Sequence, residues 1–398
     1  MDKITYFTHG DKTICDGCAA CQQACPFEAL EMMPDENGFI FPYKDLNKCT
    51  NCGICERVCP FPTPNYNNYN DPIILASYLK DKEERCKSTS GGLFYAIAKY
   101  IIEESGIVYG AIMNENFQVH HKGVEKIKDL QSLRGSKYVQ SSTNNCFREV
   151  KKNLKEGRLV YYSGTGCQIA GLKAFLKKDY QNLFTSDLIC HGVPPEKLFI
   201  EHINFLKNKG YNLNYYSFRN FKNSAKEEIL SCNDSNYEIH RNPLKSPYYY
   251  AFSKSYIFRL SCYKCPFAHV PRQGDLTLGD FWGIKEYNSK IENENGISLV
   301  SLNSEKGKKL WEKIKNSTIY FELSNVNFKK FNPNFIRPTV KPEIREIIFT
   351  LIQEKGYEYV AKKYFSPSKN EFFKNISKNM LKRIIGQKNI DFIKKLVK

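Results

Sequence analysis

Apolar and polar residues alternate along the chain with two periodicities. Between residues 73 and 210, short apolar runs typical of buried strands alternate with stretches whose apolar residues recur at helical spacing. This alternation predicts an α/β body with at least partly parallel strand pairing. The predicted strands are Ile73–Leu79, Ile107–Met113, Arg158–Tyr162 and Leu183–Ile189, and the predicted helices are Leu93–Glu104, Asn144–Glu156, Gly166–Lys178 and Glu196–Lys209.

The segments that flank this region have different patterns. Residues 60–72 contain four prolines and four asparagines, which disfavour a helix and a sheet ladder, so residues 63–72 are predicted to be a linker. From Tyr211 onward the pattern indicates aromatic-rich strands and long loops. In the last thirty residues apolar side chains recur at helical spacing, and residues 369–398 carry a net charge of +7. Such a basic amphipathic helix either packs on its own domain or lies on an anionic membrane surface.

Two copies of one cysteine pattern precede the predicted linker. Each copy reads Cys-x-x-Cys-x-x-Cys-x-x-x-Cys-Pro, a spacing that lets a short loop direct three thiolates at one cubane iron–sulfur cluster. The fourth cysteine of such a run usually binds the other cluster. The repeat therefore predicts a pseudo-symmetric module with two 4Fe-4S clusters. The first cluster is assigned to Cys15, Cys18, Cys21 and Cys59, and the second to Cys49, Cys52, Cys55 and Cys25.

A zinc site and a disulfide framework are the alternatives for these cysteines. Zinc sites usually contain paired Cys-x-x-Cys units and disulfide frameworks suit small secreted chains, so neither accounts for two identical four-cysteine runs ending in proline. The chain has 15 cysteines, and its first residues contain no basic region followed by an apolar stretch. We therefore expect a cytoplasmic protein. No stretch reaches the roughly 20 apolar residues of a membrane span.

The net charge of +17 is unevenly distributed over the 398 residues. Residues 1–62 contain five Lys/Arg and nine Asp/Glu, a net charge of −4, so the remainder carries +21. A basic body attracts nucleic acid, an anionic membrane or an acidic redox partner, whereas scattered lysines are typical of an ordinary solvated surface. The chain has no recognisable helix-turn-helix, zinc-finger or RNA-binding motif, which argues against a nucleic-acid partner.

Two glycine-containing loops precede predicted helices in the body. Residues 88–92, Ser-Thr-Ser-Gly-Gly, combine hydroxyls with the free N–H groups of a helix start, which suits a phosphate but also suits an ordinary cap and turn. Residues 163–168, Ser-Gly-Thr-Gly-Cys-Gln, place Cys167 at a helix amino terminus. The helix dipole would favour its thiolate as a metal ligand or reactive thiol, and the alternative is a small buried cysteine.

Further cysteines occur at predicted loop ends. Cys190 and His191 follow a strand, where ligand-contacting residues of open α/β sheets collect, so both are candidate catalytic residues. One Cys-x-x-Cys unit, Cys262 and Cys265, supplies half of a four-ligand site. A third cubane held by Cys167, Cys190, Cys262 and Cys265 is one hypothesis, and a redox dithiol with two structural thiols is the other. Cys86, Cys146 and Cys232 have no motif and are predicted to be structural.

Taken together, these motifs resemble the coenzyme F-420 hydrogenase/dehydrogenase beta-subunit family. The resemblance implies an FAD-containing α/β body that exchanges electrons between iron–sulfur clusters and a hydride donor or acceptor; relatives include deazaflavin-dependent subunits and reductases of chlorophyll-type pigments. It also implies the flavin neighbours Ser90, Gly91, Gly92, Lys137, Tyr138, Gly166 and Gln168. The resembling stretches are Ser88–Leu93, Gly135–Gln140, Gly166–Gly171, Asp187–Gly192, Cys262–Cys265 and Gly274–Gly283.

These observations lead to a mixed α+β or α/β chain with four parts. We expect a bacterial-ferredoxin-like domain at residues 1–62, a linker at 63–72, an FAD-binding α/β domain at 73–340 and a helical region with the basic tail at 341–398. The first functional hypothesis is a flavin- and iron–sulfur-dependent oxidoreductase acting on a small organic molecule, with ferredoxin or another iron–sulfur protein as its redox partner. The second is an electron-transfer subunit that docks on a separate catalytic partner, and the third is a nucleic-acid-binding protein with a structural cluster.

Overall fold

The computed structural model describes residues 5–61, 67–220, 227–232, 237–241, 245–287, 295–323 and 328–367. The predicted amphipathic tail at residues 369–398 lies outside these ranges, as does part of the predicted linker. Within the described ranges, no helix is long and apolar enough to cross a membrane.

Thirteen strands and thirteen α-helices are placed in the described ranges. The strands are β1 (Leu30–Pro34), β2 (Ile40–Lys44), β3 (Ile73–Leu79), β4 (Ile107–Met113), β5 (Val119–Val124), β6 (Val160–Gly164), β7 (Leu183–Leu188), β8 (Leu213–Asn220), β9 (Glu227–Cys232), β10 (Tyr237–Arg241), β11 (Leu276–Asp280), β12 (Ser298–Leu302) and β13 (Thr318–Glu322). The helices are α1 (Tyr6–His9), α2 (Ala20–Ala24), α3 (Ile54–Arg57), α4 (Lys82–Cys86), α5 (Leu93–Glu103), α6 (Leu130–Leu133), α7 (Cys146–Lys155), α8 (Gly166–Leu176), α9 (Glu196–Asn208), α10 (Pro247–Ser253), α11 (Ile284–Tyr287), α12 (Glu305–Ile314) and α13 (Ile344–Tyr364).

An eight-stranded sheet forms the centre of the body. Its order is β13-β3-β12-β11-β7-β6-β4-β5, and β4, β6, β7 and β11 pair in parallel. β12 pairs antiparallel with both β11 and β3, so β3 runs in the same direction as the parallel strands. The loops that follow β3, β6, β7 and β11 therefore leave from one edge of the sheet, where ligands of open α/β sheets usually bind.

The mixed α/β prediction is confirmed, and the predicted elements lie close to the observed ones. The first two predicted strands coincide with β3 and β4, and the fourth is one residue longer than β7. The strand predicted at residues 158–162 is instead β6 at 160–164, because the small residues Ser163 and Gly164 continue the ladder beside β7. The four predicted helices match α5, α7, α8 and α9, with ends that differ by one or two residues.

Helices cover both faces of the central sheet. Successive residues of a strand point to opposite faces, so apolar residues in a row make both faces apolar, and helices bury them. Val108 and Tyr161 pack on one face with α5 and α12. Tyr109 and Tyr162 pack on the other face with α7 and α8. A further core joins α9, α10 and α13 to the β8–β10 sheet, and α13 contains a break at Gly356, where φ is 78°.

The small amino-terminal module consists of the β1–β2 hairpin and the short helices α2 and α3, and it packs directly on the body. Phe39 and Phe41 of the hairpin belong to the core that contains α9 and α13. Ala20 and Val58 pack with residues of α7 and α8. The ferredoxin-like module therefore shares its hydrophobic cores with the body. Its apolar side chains are buried by residues of α7, α8, α9 and α13, which lie far from it in the sequence.

Candidate functional site

The first predicted cysteine set lies together at the boundary between the module and the body. Burial raises the pKa of the Cys21 thiol well above its ordinary value, and the neighbouring thiols of Cys18, Cys15 and Cys59 raise it further. Burial also raises the pKa of Cys18, and Cys59 is the leading charged neighbour that adds to this effect. Four neighbouring, only partly exposed sulfurs that oppose one another's ionisation need a cation to become thiolates. This donor set fits a cubane, whose iron supplies that charge.

The second predicted set lines a cavity of about 200 Å³ that opens at the surface of the module. Cys25 is buried, whereas Cys52 is exposed. Cys25 follows α2, and Cys55 lies in α3, so the two short helices carry cysteines to the same cavity. The cavity walls contain all four sulfur donors: Cys25, Cys49, Cys52 and Cys55. The structure thus places Cys25 with the second set and Cys59 with the first.

The four body cysteines also converge on one cavity, beside Asp16 of the module. Cys167 is the second residue of α8, Cys190 follows β7, and Cys262 lies in a 3-10 helix at Leu260–Lys264, with Cys265 directly after it. Burial, Asp16 and the neighbouring cysteine thiols raise the pKa of Cys265 well above its ordinary value. The open space between the four is about 30 Å³, so a cubane here requires their side chains to swing outward.

The chemistry of these cysteine sets suits a polynuclear cluster. The fourteen cysteines whose side chains the structure describes form no disulfide. In the same ranges, no three His, Cys, Asp or Glu side chains lie close enough to hold a single metal ion. A cubane differs from a single ion because each of its sulfur ligands binds a different iron, which spreads the ligands around a larger centre.

Polar contacts fix the first set against the body. Thr143 donates its hydroxyl to the carbonyl of Cys18 at 3.1 Å and accepts from Gln23 at 3.1 Å. The side-chain oxygen of Gln23 in turn accepts from the backbone N–H of Phe147 at 2.8 Å. Gly171 of α8 lies so close to Cys18 that an added Cβ would be 3.0 Å from its Sγ. The module is therefore docked through the same residues that hold the first cysteine set.

The loop at residues 88–92 packs tightly on two strands. The backbone N–H of Gly91 donates to the Ser298 hydroxyl at 3.0 Å, and the Ser90 hydroxyl lies 3.1 Å from that same oxygen. A Cβ on Gly91 would be 2.4 Å from the carbonyl oxygen of Ser77. Gly92 has φ +86° and lies against Leu79. The two glycines are thus required by the close approach of the loop to β3 and β12, whatever else the loop binds.

Lys137 is a cation without a carboxylate in the part of the chain that the structure describes. Its Nζ donates to the carbonyls of Arg134 at 2.8 Å and Ser132 at 3.1 Å. Burial lowers the pKa of Lys137 to about 7. The adjacent Ser136 hydroxyl lies 3.2 Å from that of Thr89, which connects this segment to the loop at residues 88–92. A desolvated lysine beside hydroxyls fits an anionic group such as a flavin diphosphate.

The other predicted flavin neighbours have clear structural roles. Gln168 closes a capping box with Thr165, and its Nε2 donates to the carbonyl of Ser141 at 3.1 Å and to its hydroxyl at 3.0 Å. A Cβ on Gly166 would be 3.0 Å from that of Phe267. Tyr138 stacks on Phe252 with ring centroids 4.2 Å apart.

The predicted flavin loops are neighbours through an intermediate segment. β3 and β6 are separated by β12, β11 and β7, so their ends lie about 19 Å apart at the usual strand spacing of about 4.8 Å. The segment at residues 135–141 bridges this gap, because it contacts Thr89 on one side and Gln168 on the other. A ligand between the two glycine loops would therefore also contact this segment.

His191 is held at both ring nitrogens. Nδ1 lies 3.1 Å from the side-chain oxygen of Asn334, and Nε2 lies 3.1 Å from the hydroxyl of Ser255. Burial lowers the pKa of His191, so the ring is neutral near pH 7. The hydroxyl of Thr339 donates to the backbone carbonyl of His191. The histidine therefore orders the loop that carries Cys190 and lines the cavity of the third cysteine set.

Four buried charged residues of this region were not predicted from the sequence. Asp16 lies between Cys15 and Cys18, and Arg259 precedes Cys262 by three positions. Their closeness to these cysteines in the sequence is the signal that could have identified both as candidates. Asp187 and Arg272 form a fully buried ion pair at 3.4 Å. Asp187 also accepts from the backbone N–H of Gln273 at 3.0 Å, which fixes the loop leading into β11.

Comparison with protein families identifies two segments of the chain. Residues 14–62 match the model of the 4Fe-4S dicluster domain, and residues 157–327 match the model of the carboxy-terminal part of the coenzyme F420 hydrogenase/dehydrogenase beta subunit. The family resemblance and the ferredoxin-type module predicted from the sequence are thereby confirmed. The chain contains both domains and is an iron–sulfur electron-transfer oxidoreductase.

A solved structure is also similar to the chain. It comes from a study titled "Xenon derivatization of the F420-reducing [NiFe] hydrogenase complex from Methanosarcina barkeri", at 17% sequence identity and a TM-score of 0.43, and the match covers 73% of this chain and 89% of that chain. No curated protein matches the sequence.

Proposed function

We propose that the chain is an iron–sulfur flavoprotein oxidoreductase that transfers electrons between 4Fe-4S clusters, FAD and a small organic substrate. The observation that carries the proposal is the convergence of twelve cysteines into three sets, with the first and third sets both adjoining Asp16. When bound, cubanes supply one-electron chemistry and an isoalloxazine ring converts single electrons into hydride equivalents. This chain contributes the positions of the sulfur donors and the charges around them.

The third set is proposed to hold a third cubane. Its four thiols come from separate segments of the body, and the cavity that they share also contains Arg272, whose charge favours thiolates. Cys190 belongs to this set, so we propose that its thiol is a metal ligand. A redox dithiol formed by Cys262 and Cys265 is the alternative, and it leaves the convergence of Cys167 and Cys190 without a purpose.

Lys137 is proposed to bind the flavin. Its charge is desolvated, and the carbonyls that it contacts accept hydrogen bonds without neutralising it. The Ser90-Gly91-Gly92 loop, Tyr138, Gly166 and Gln168 are proposed to shape the same site. Gly91, Gly92 and Gln168 would act mainly through the loop conformations that they stabilise, because their contacts are with the protein itself.

The organic substrate is proposed to bind at the carboxyl edge of the central sheet. Leu188 and Trp282, at the ends of β7 and β11, expose large apolar side chains there. His191 lies on the same loop as Cys190, and both ring nitrogens are already hydrogen-bonded. A proton-transfer role for His191 therefore requires that it exchange the Asn334 or Ser255 contact for one to the substrate.

The redox partner is proposed to dock at the second cysteine set. Cys52 and Phe27 are exposed on the rim of that cavity, and Tyr43 and Leu46 of the same module expose apolar side chains. A ferredoxin or another iron–sulfur protein would approach this cluster more closely than the first, because Cys52 is exposed and no cysteine of the first set is. The same face would serve a catalytic partner if the chain acts as an electron-transfer subunit.

Metal content tests the three-cluster proposal. Anaerobically purified, fully loaded protein should hold about twelve iron atoms, and a Cys262→Ser/Cys265→Ser variant about eight. Cys86→Ser is the matched control, since Cys86 is an exposed cysteine outside all three sets. A wild-type count near eight would remove the third cluster, and a count near four would contradict the two-cluster assignment.

Flavin retention tests the Lys137 assignment. After reconstitution with FAD, Lys137→Met should lose flavin and keep its iron, because the hydrogen bonds of Lys137 are to the backbone carbonyls of Ser132 and Arg134 and to no residue of a cysteine set. Lys128→Met, an exposed lysine nearby, is the control and should retain flavin. Stoichiometric FAD in folded Lys137→Met would exclude the site, and wild-type protein that binds no FAD would exclude the flavin.

A further inference from the structure

Arg259 is a buried cation that reaches from the body to a ligand of the first cysteine set. Its side chain is only 1% exposed. Nε donates to the carbonyl of Cys15 at 2.7 Å, and Nη2 lies 3.6 Å from the Cys15 sulfur. Nη2 also donates to the carbonyl of Ile40 at 2.9 Å, and the guanidinium lies 4.1 Å from the centroid of the Phe41 ring. One side chain thus binds a sulfur donor and the hairpin of the module.

The backbone of Arg259 belongs to the third cysteine set. Its N–H donates to the carbonyl of Val193 at 3.0 Å, three residues after Cys190, and its carbonyl accepts from the N–H of Cys262 at 3.0 Å. Arg259 is therefore fixed between the two loops that carry body cysteines, and its side chain extends across the boundary to Cys15. These two backbone hydrogen bonds hold Arg259 in place beside Cys15.

A fixed cation beside a ligating sulfur changes the energy of reducing a cluster. One-electron reduction adds negative charge, which a nearby positive charge and an N–H···S hydrogen bond both stabilise. The effect is large where water is excluded, because the effective dielectric constant is low. Because Arg259 is buried and Cys15 is only partly exposed, this contact has a stronger influence than an exposed pair would have.

The second cysteine set has cations of a different kind. Arg57 donates to the carbonyl of Cys52 at 3.0 Å, but its side chain is exposed, and Lys44 lines an open cavity. Solvent and salt screen such charges. Among the described residues, Arg259 is the buried cation in contact with a dicluster sulfur, so the two clusters are placed in different electrostatic surroundings.

We propose that Arg259 is a positioning residue that raises the reduction potential of the cubane held by Cys15, Cys18, Cys21 and Cys59 above that of the other dicluster cubane. This inference rests on the cluster assignment in the proposed function. Its consequence is that the reduced state is favoured on the cluster that adjoins the body, away from the exposed module surface.

The test compares midpoint potentials in the full-length holoprotein. Dye-mediated titrations followed by electron paramagnetic resonance would be run on wild type, Arg259→Lys, Arg259→Gln and the control Arg345→Gln. Arg345 is also a buried arginine, 2% exposed, but its side chain donates to the Phe258 carbonyl at 2.9 Å and packs on the Phe349 ring. Iron content of each sample establishes cluster loading independently of the potentials.

In Arg259→Gln the equilibrium constant for reducing the first cubane should fall at least tenfold, about 59 mV for one electron. Arg259→Lys should retain part of the wild-type potential because it keeps the charge, and Arg345→Gln should match wild type. The second cubane should be unchanged throughout. An unchanged first potential in loaded Arg259→Gln, an equal fall in both cubanes, or an equal fall in Arg345→Gln would overturn the proposal.

A measurement on wild type covers the case in which Arg259→Gln does not load iron. Protein labelled with ¹⁵N-arginine should show a nitrogen hyperfine coupling to one reduced dicluster cubane in pulsed resonance spectra, and Arg345→Gln should retain that coupling. Absence of the coupling in loaded protein would overturn the role of Arg259. Absence of dicluster iron from wild type would instead overturn the proposed function.

Discussion

Gly171 permits close packing of the body on Cys18 of the first cysteine set, and its replacement by alanine is a sharp test of how the module docks. In an exposed helix this change would stabilise the protein by about 1 kcal/mol, because alanine has the higher helix propensity. Here Gly171 lies inside α8, and the new Cβ would be 3.0 Å from the Cys18 sulfur and 3.1 Å from the Cys18 Cβ. Those distances are a few tenths of an ångström shorter than an unstrained contact.

Overpacking of this kind costs about 1–3 kcal/mol, so we expect Gly171→Ala to lower the free energy of unfolding by about 1 kcal/mol in place of the usual gain. Cys18 must also shift, and because its sulfur is assigned to the first cubane, we expect a loss of about four iron atoms per chain. The measurements are anaerobic iron and sulfide content, and thermal melting followed by cluster absorbance.

Gly110→Ala is the matched control for this substitution. Gly110 lies in β4, and an added Cβ would be 3.5 Å from its nearest neighbour in Leu133, an ordinary contact. We expect this variant to keep its iron and its melting temperature. If Gly171→Ala also keeps its full iron content and melts no lower than wild type, then the close contact with Cys18 does not constrain the cluster.

Three further predictions concern the body. Gly91→Ala should lower the melting temperature even without flavin, because its Cβ would be 2.4 Å from the Ser77 carbonyl oxygen; a flavin-free protein that melts normally would contradict this. Burial lowers the pKa of Lys137 to about 7, so the unfolded state binds more protons than the folded state between pH 7 and about pH 10. The free energy of unfolding of the flavin-free protein should therefore rise with pH over this range. Lys137→Met should remove that rise. Asp187→Asn should cost about 3 kcal/mol in denaturant unfolding, because it leaves the Arg272 guanidinium without its buried partner; a change below about 1 kcal/mol would contradict the structural role of the pair.

Between residues 73 and 209 the sequence predicted four strands and four helices of the body, with errors of one or two residues at most of their ends. β3 and β4 were predicted at their observed bounds because Ile73–Leu79 and Ile107–Met113 are apolar runs interrupted by a single small residue each, which need no knowledge of neighbours to be recognised. The end of β6 was missed because Ser163 and Gly164 have weak strand preference, and their ladder partners in β7 lie about 20 residues away.

Only the tertiary structure shows how the segment between the module and the body contacts the body. Residues 63–72 contain proline and asparagine, and this composition indicates a spacer. Within that stretch, however, the Asn68 amide donates to the carbonyls of Arg272 and Gly274 at 2.8 Å, and the backbone N–H of Tyr69 donates to the carbonyl of Asn303 at 2.8 Å. Local composition reports chain stiffness and carries no information about hydrogen-bond partners 200 residues away.

The sequence by itself determined the chemistry of this protein, because ligand spacing within a short loop is a local property. Three cysteines at three-residue spacing can direct their thiolates at one cluster from a short loop, and the matching run supplies the fourth ligand. Only the tertiary structure decided the surroundings of each set. It brought Cys167, Cys190, Cys262 and Cys265 together from separate segments, and it placed Arg259 against Cys15 across 244 residues of sequence. Burial and electrostatic environment depend on distant contacts, and these contacts distinguish two cysteine runs that are identical in pattern.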